Sequence, residues 1–265
     1  MAKNKVAIVT GSATGLGAAC ARDLAGRGWN VAINYTKSKK EADETYEAVK
    51  KAGADAILVQ ADMGQDADCK KLAGETLKKW GRIDGLVNNA GTTKFQNQGD
   101  LDGVSAEDFD RILRVNVTGP YMMTRAVFPT MKKQYEADGD RGSIVNISSI
   151  AGVMGVGTSI PYAASKGALN TLTLALARQL APHVKVNTVC PGFIQTRWLL
   201  GALGQENYEK LKMAQEQTAP LRQAGTPEQM AEAVIFFLTS ASNVTGEFLI
   251  VDAGTHLGGL PMKGR

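Results

Sequence analysis

Seven short runs rich in β-branched residues recur along this chain, and a stretch with helical spacing separates most of them from the next. The runs are Val6 to Thr10, Asn30 to Asn34, Ala56 to Gln60, Ile83 to Asn88, Ser143 to Ser148, Val184 to Val189 and Phe248 to Asp252. Most are apolar throughout rather than alternating, which predicts strands covered on both faces. Helical periodicity marks Ala18 to Arg27, Lys39 to Ala52, Ala67 to Trp80, Ala106 to Lys133, Tyr162 to Leu180 and Pro227 to Thr239. Strand and helix in alternation build parallel βαβ units with right-handed crossovers. The expected architecture is α/β, a doubly wound, mostly parallel seven-stranded sheet with helices on both faces.

Two segments break the rhythm. Tyr135 to Arg141 is polar and turn-like, and is expected to be a surface loop. Arg197 to Thr226 is an insertion with an amphipathic helix expected around Asn207 to Gln217. It follows a strand end, where ligands of open α/β sheets bind, and it carries Trp198, Leu199, Leu200, Leu211 and Met213. It is expected to be a mobile lid that closes over a substrate with an apolar face. No break in composition divides the 265 residues, so one catalytic domain, 1–265, is expected, with the lid at about 197–226.

The formal charge of +4 does not gather into a stripe, because the basic pairs Lys39-Lys40, Lys50-Lys51, Lys78-Lys79 and Lys132-Lys133 are scattered. No nucleic-acid partner is expected. Cys20, Cys69 and Cys190 lie far apart in sequence with only His183 and His256 to join them, so we expect reduced thiols in a cytoplasmic protein and no metal site. Lys3 and Lys5 before Val6 to Val9 mimic the start of a signal peptide, but the apolar run stops at Thr10-Gly11-Ser12 and reads better as a strand. No stretch approaches the roughly 18 apolar residues of a membrane span.

The first strand runs into Gly11-Ser12-Ala13-Thr14-Gly15-Leu16-Gly17, after which a helix begins. Glycines let a backbone turn sharply and approach a pyrophosphate, and the helix N-terminus offers unpaired N–H groups. Spacing alone is weak evidence in a chain with 29 glycines; the setting between strand and helix is what counts. At the end of the second strand, where a dinucleotide-binding Rossmann fold reads the adenosine ribose, Tyr35, Thr36 and Lys37 supply no carboxylate. Lys37 either attracts a 2′-phosphate or points into solvent, and NADP is favoured over NAD.

A tyrosine and a lysine four residues apart share one helix face, and a lysine cation there favours the phenolate, lowering the pKa from about 10. Four such pairs occur: Tyr35/Lys39, Tyr46/Lys50, Tyr162/Lys166 and Tyr208/Lys212. Only Tyr162 has a serine thirteen positions upstream, Ser149, just past a predicted strand; the others have Arg22, Ile33 and Gln195.

With these motifs in order, the chain resembles the short-chain dehydrogenase/reductase family over nearly its whole length. The resemblance rests on Gly11/Gly15/Gly17, Asp62, Asn88-Asn89-Ala90-Gly91, Asn116, Ser149 with Tyr162 and Lys166, and Pro191-Gly192 followed by Thr196. It implies that Tyr162 is the general acid or base, that Lys166 also binds the nicotinamide ribose, that Ser149 orients the carbonyl, and that Asn116 holds a relay water. It further implies a cofactor site of Gly11, Thr14, Gly15, Leu16, Gly17, Tyr35, Thr36, Lys37, Asp62, Met63, Asn89, Ala90, Gly91, Tyr162, Lys166, Pro191, Gly192, Ile194 and Thr196. Asp62 and Asn89 would flank the adenosine, and Ile194 and Thr196 would hold the carboxamide.

The implied activity is hydride transfer between a nicotinamide and a carbonyl or secondary alcohol of a small molecule, with ketone reduction the expected direction and a homotetramer or homodimer the expected assembly. Many relatives reduce 3-oxoacyl groups on acyl carrier protein, often with an arginine at the end of the tyrosine-bearing helix, where this chain has His183 and is one residue shorter. A dinucleotide-sensing protein would be expected to lack the Ser/Tyr/Lys set. A P-loop nucleotidase would need a Gly-Lys-Ser or Gly-Lys-Thr that Gly15-Leu16-Gly17 does not supply.

Overall fold

The computed structural model describes residues 4–258. Its seven strands are β1 (Val6–Val9), β2 (Asn30–Tyr35), β3 (Ala56–Gln60), β4 (Gly85–Asn88), β5 (Gly142–Ile147), β6 (Val184–Pro191) and β7 (Phe248–Val251). They form one sheet in the order β3-β2-β1-β4-β5-β6-β7. Every pairing is parallel, so the sheet is more uniform than the mostly parallel one expected.

One face is covered by α1 (Gly15–Gly26), α2 (Lys39–Lys51) and, further along the chain, the helix at Pro227–Ile235. Cys20, Leu24, Val49, Met230 and Val234 fill that side. On the opposite face lie α3 (Asp66–Trp80), the helix at Gly119–Asp138 and the helix at Ile160–Leu180. Cys69, Leu72, Met123, Val127 and Leu176 pack there. All three cysteines are buried and free. Two buried layers explain why the strands read as continuous apolar runs.

The segment expected as one helix from Ala106 to Lys133 is α4 (Ala106–Leu113), a π-helical turn at Arg114–Thr118 and α5 (Gly119–Asp138) in unbroken succession. The expected loop at Tyr135 to Arg141 is corrected, since α5 continues to Asp138 and ends on Gly139, which has a positive φ of 73°. Polarity misled here because tertiary contacts hold the last turn: the Tyr135 ring meets His183 edge-on at 5.3 Å. Next come the short α6 (Ala151–Met154) and α7 (Ile160–Leu180). The helix expected around Asn207 to Gln217 is present as the second arm of α8 (Arg197–Thr218), which non-helical backbone at Gly204 separates from a first arm that the sequence reading did not expect. Then α9 (Pro227–Ile235) opens on a capping box formed by Thr226 and Gln229 and passes into a π turn at Phe236–Ser240.

A buried polar chain fixes α7 on the sheet. Asn88 Nδ2 donates to Asn146 Oδ1 (2.9 Å), Asn146 Nδ2 donates to Thr173 Oγ1 (2.9 Å), and Thr173 and Thr188 share a hydroxyl bond of 2.7 Å. All four side chains are buried, so each needs these partners. Asn146→Ala would leave the Asn88 amide without its acceptor and take one donor from Thr173, which keeps Thr188 and the Leu169 carbonyl. We expect it to cost about 2 kcal/mol of stability, read as a lowered midpoint in urea unfolding.

Candidate active site

Because all strands run one way, the carboxyl ends of β1, β4, β5 and β6 lie along one edge, and the chain reverses its direction of travel between β1 and β4. At that switch point Gly11 and Gly15 have φ of 61° and 57°, a region that favours glycine. A Cβ on Gly17 would lie 2.5 Å from Asn89 Nδ2 and 2.6 Å from the Gly11 carbonyl oxygen. Leu16 is buried beneath the turn, and Thr14 is exposed at its rim. The turn is braced from three sides. Asn34 Oδ1 accepts from Gly11 N–H (2.9 Å) while its amide donates to the Ala61 carbonyl (2.9 Å). Asn89 Nδ2 donates to the carbonyls of Thr10 (2.9 Å) and Gly11 (3.0 Å). Thr10 Oγ1 accepts from Asn89 and Ala90 N–H, both at 3.0 Å.

Beside the turn, Tyr35 is buried against Ala13 and Ala42, whereas Thr36 and Lys37 are exposed. Asp62 Oδ1 accepts from Gly64 N–H at 2.9 Å, and Met63 is buried. At the far end, Gly192 passes so close to Asp252 that a Cβ would stand 2.6 Å from the Asp252 Cβ. Ile194 bridges to Gly225, and Thr196 caps α8 by accepting from Leu199 N–H (3.4 Å). Gly15 lies against Thr196, where a Cβ would stand 3.4 Å from the Thr196 Cγ2, and both line a cavity of about 250 Å³ together with Thr14, Arg22 and Arg197.

The four residues expected to do chemistry come together past the ends of β4 and β5. Ser149 Oγ accepts from Ala151 N–H at 3.1 Å. Tyr162 lies in the first turn of α7, where Ser159 caps the helix. Lys166, one turn on, is buried, donates from Nζ to the Ile147 carbonyl (2.8 Å), and sits 5.5 Å from the Tyr162 ring centre. Asn116 occupies the π turn and donates to the Thr92 carbonyl (2.9 Å) and Ser165 Oγ (3.0 Å), while accepting from Thr92 N–H (2.8 Å). A Cβ on Gly91 would lie 3.5 Å from Asn116 Oδ1 and 3.7 Å from Lys166 Nζ, so these groups surround one point. Gly152 lets α6 touch α7: a Cβ there would stand 2.4 Å from the Lys166 carbonyl carbon. That contact sets Ser149 against Tyr162.

The electrostatics differ from the sequence expectation. Burial pushes the Tyr162 phenol up to about 12, against a smaller opposing hydrogen bond from Ser149. Burial also pulls Lys166 down to about 8. The lysine cation is spent on a main-chain carbonyl, and desolvation penalises both charged forms, so the pair presents a neutral phenol. Sequence reasoning gave no role to Asn34, Thr10, Ser165 or Gly152. An asparagine inside an otherwise apolar second strand was the one visible sign.

The chain matches the family model described as Enoyl-(Acyl carrier protein) reductase over residues 11–256. It is 39% identical over 252 residues to a Streptomyces violaceoruber protein assigned as ketoacyl reductase 2 of the granaticin polyketide synthase, covering 95% of this chain and 96% of that one. Against the 3-oxoacyl-[acyl-carrier-protein] reductase of Synechocystis it is 36% identical over 253 residues, 94% of this chain and 96% of the relative. A solved structure from Burkholderia xenovorans, assigned as a short-chain dehydrogenase/reductase, superposes with a TM-score of 0.89 at 38% identity, covering 97% of this chain and all of that one. This chain belongs to the short-chain dehydrogenase/reductase family.

As a short-chain dehydrogenase/reductase it is an NAD(P)-dependent oxidoreductase acting on a carbonyl or secondary alcohol of a small molecule. The glycine cradle fits the dinucleotide, because its close approaches leave no room for side chains and the α1 N-terminus opens onto the cavity. Among the described residues, no helix is long and apolar enough to cross a membrane, and no group of three or more His, Cys, Asp or Glu is placed to hold a metal ion. Gly17→Ala must displace Asn89 or the Gly11 carbonyl. It should weaken NADPH binding at least about tenfold in a fluorescence titration; unchanged affinity would mean that the cradle does not hold the cofactor.

Proposed function

We propose that this reductase works in the direction of ketone reduction, prefers NADPH, and uses Tyr162 as its proton donor with Ser149, Lys166 and Asn116 in support. The observation that carries this is the convergence of Ser149, Tyr162, Lys166 and Asn116 past the ends of β4 and β5, with Lys166 Nζ 5.5 Å from the Tyr162 ring centre and both Lys166 Nζ and Asn116 Oδ1 bordering Gly91. Burial keeps Tyr162 a neutral phenol at neutral pH, the form that donates a proton in the reductive direction. A nicotinamide dinucleotide bound along Gly15 and Thr196 supplies the hydride.

Ser149 donates to the substrate oxygen and holds it beside the Tyr162 hydroxyl. Tyr162 delivers its proton to that oxygen as charge builds there. Lys166, with a pKa near 8, exchanges protons readily at neutral pH and can restore the phenol. The Asn116 side chain is engaged by Thr92 and Ser165, so it fixes the wall beside Lys166 and leaves the π turn to hold a relay water.

For the cofactor, the end of β2 carries no acid, and the exposed Lys37 is free to meet a 2′-phosphate. The remaining cofactor contacts follow the positions described for Tyr35, Thr36, Asp62, Met63, Asn89, Ala90, Gly91, Pro191, Gly192 and Ile194. We read 1–265 as one catalytic unit in which 197–226 is a lid, a reading supported by α8, none of whose residues is buried. Phe109, Tyr121, Leu174 and Leu249 leave large apolar surface exposed on α4, α5, α7 and the edge strand β7, which fits a cytoplasmic homotetramer or homodimer. Reduction of 3-oxoacyl groups on acyl carrier protein is the second reading, favoured by the names of several relatives.

Tyr162→Phe should retain NADPH binding and lose at least about a hundredfold in turnover; near-normal turnover removes Tyr162 from the chemistry. For the wild type, kcat/KM of ketone reduction should be level below pH 8 and fall as Lys166 loses its proton above about 8, while alcohol oxidation rises with pH as the phenol ionises. Lys37→Glu should move the NADPH/NADH ratio of kcat/KM toward NADH, and a wild type with equal or better efficiency on NADH would refute the preference.

A further inference from the structure

The loop after β4 and the helix after β6 meet above the end of β5. Phe95, in the first of these, packs against Trp198, in the first turn of α8, with ring centres 5.2 Å apart and planes tilted by 59°. In the sheet β5 lies between β4 and β6, and its chain leads directly into Ser149. A contact bridging its two neighbours therefore passes over Ser149.

Both rings are held relative to the reacting groups. On the Phe95 side, Gln96 N–H donates to the Thr158 carbonyl (2.9 Å) and Thr93 and Thr158 share a hydroxyl bond of 2.6 Å, four residues before Tyr162. On the other side, Trp198 is tied to the cofactor cleft through the Thr196 cap. Trp198 keeps 47% of its surface exposed, so an aromatic face remains open.

The cations near Phe95 are already engaged, and Arg197, beside Trp198, lines the cavity at the cofactor turn. Lys94 pairs with Asp108 at 2.5 Å, and Arg111 is divided between Thr92 Oγ1 (2.7 Å) and Asp108 (3.5 Å). The segment that follows Ser149 instead exposes Val153, Met154 and Val156. An apolar substrate would be covered on two sides, by the aromatic pair and by these side chains.

Resting on the ketone-reductase reading, we propose that Phe95 and Trp198 are the specificity determinants of this enzyme and select an uncharged, flat, ring-bearing ketone over an open-chain one. The carbonyl reaches Ser149 and Tyr162, and the ring stacks on the aromatic pair at the 4.5–7 Å range usual for such contacts.

The test compares two uncharged ketones of equal carbon number, β-tetralone and methyl octyl ketone, with NADPH. Wild type should favour β-tetralone in kcat/KM by about tenfold or more, and Phe95→Leu and Trp198→Leu should each shrink that ratio several-fold, through KM. NADPH titration and melting temperature confirm that each variant is folded and loaded. In the Tyr162→Phe background, β-tetralone should quench tryptophan emission, and adding Trp198→Leu should remove the quench although Trp29 and Trp80 remain. Equal efficiency on both ketones, or a ratio unmoved in both variants, overturns the assignment while leaving ketone reduction intact. Turnover of neither ketone by NADPH-bound wild type counts against the ketone reading itself and takes the assignment with it.

Discussion

Everything in this molecule depends on the common polarity of its seven strands. A parallel strand can be followed by another only after a crossover, so each helix is forced onto a face and each strand finishes at the same edge. The glycine turn, Asn88 to Gly91, Ser149 and Pro191-Gly192 are far apart in sequence, yet all are strand ends. No special interaction is needed to gather them. What remains for side chains is fine placement, and this is where the polar residues of the interior are used.

That placement works by immobilising main chain first. Asn34, Asn89 and Thr10 saturate the backbone of the glycine turn, leaving the N–H groups of the α1 terminus as those facing the cleft. Thr173 and Asn146 hold α7 at one height on the sheet, and Gly152 allows α6 to press on it. Tyr162 and Lys166 inherit their positions from these contacts, and their pKa values inherit their burial. The same dry environment raises the phenol and lowers the ammonium, so Tyr162 stays a neutral phenol and Lys166 comes within reach of deprotonation just above neutral pH, both for one physical reason.

The strands were legible because two-sided burial leaves unbroken apolar runs, and Ser149, Tyr162 and Lys166 because a serine thirteen positions before a Tyr/Lys pair separates one pair from three others; Asn116 was reached only through the family resemblance. Helix ends were less legible. The last turn of α5 is polar in composition and is held by His183, a residue beyond the next strand that no local pattern reveals. The first arm of α8, ahead of the break at Gly204, was not legible, because its Trp198, Leu199 and Leu200 read only as the apolar part of an insertion. The direction of the Tyr162 shift was missed because spacing shows a neighbour but not the loss of water around it. Asn34 and Phe95 escaped notice for the same cause, since their partners are brought near only by the fold.

Gly204 has a further consequence. Its φ of 73° with ψ of 164° lies where only glycine is comfortable, and it divides α8 into two rigid arms. The leading arm starts at Thr196, against the cofactor turn. The trailing arm is pinned near its end, where Gln215 Nε2 donates to Thr255 Oγ1 at 2.6 Å and the buried Asp252 anchors the same turn through His256. Asp252 is also the residue against which Gly192 is pressed. The helix therefore spans two supports of different kinds, one beside the cofactor cleft and one built into the carboxyl-terminal turn, with a joint between them. The break at Gly204 thus keeps the two supports on separate helical arms that meet at an angle, rather than on one continuous rod.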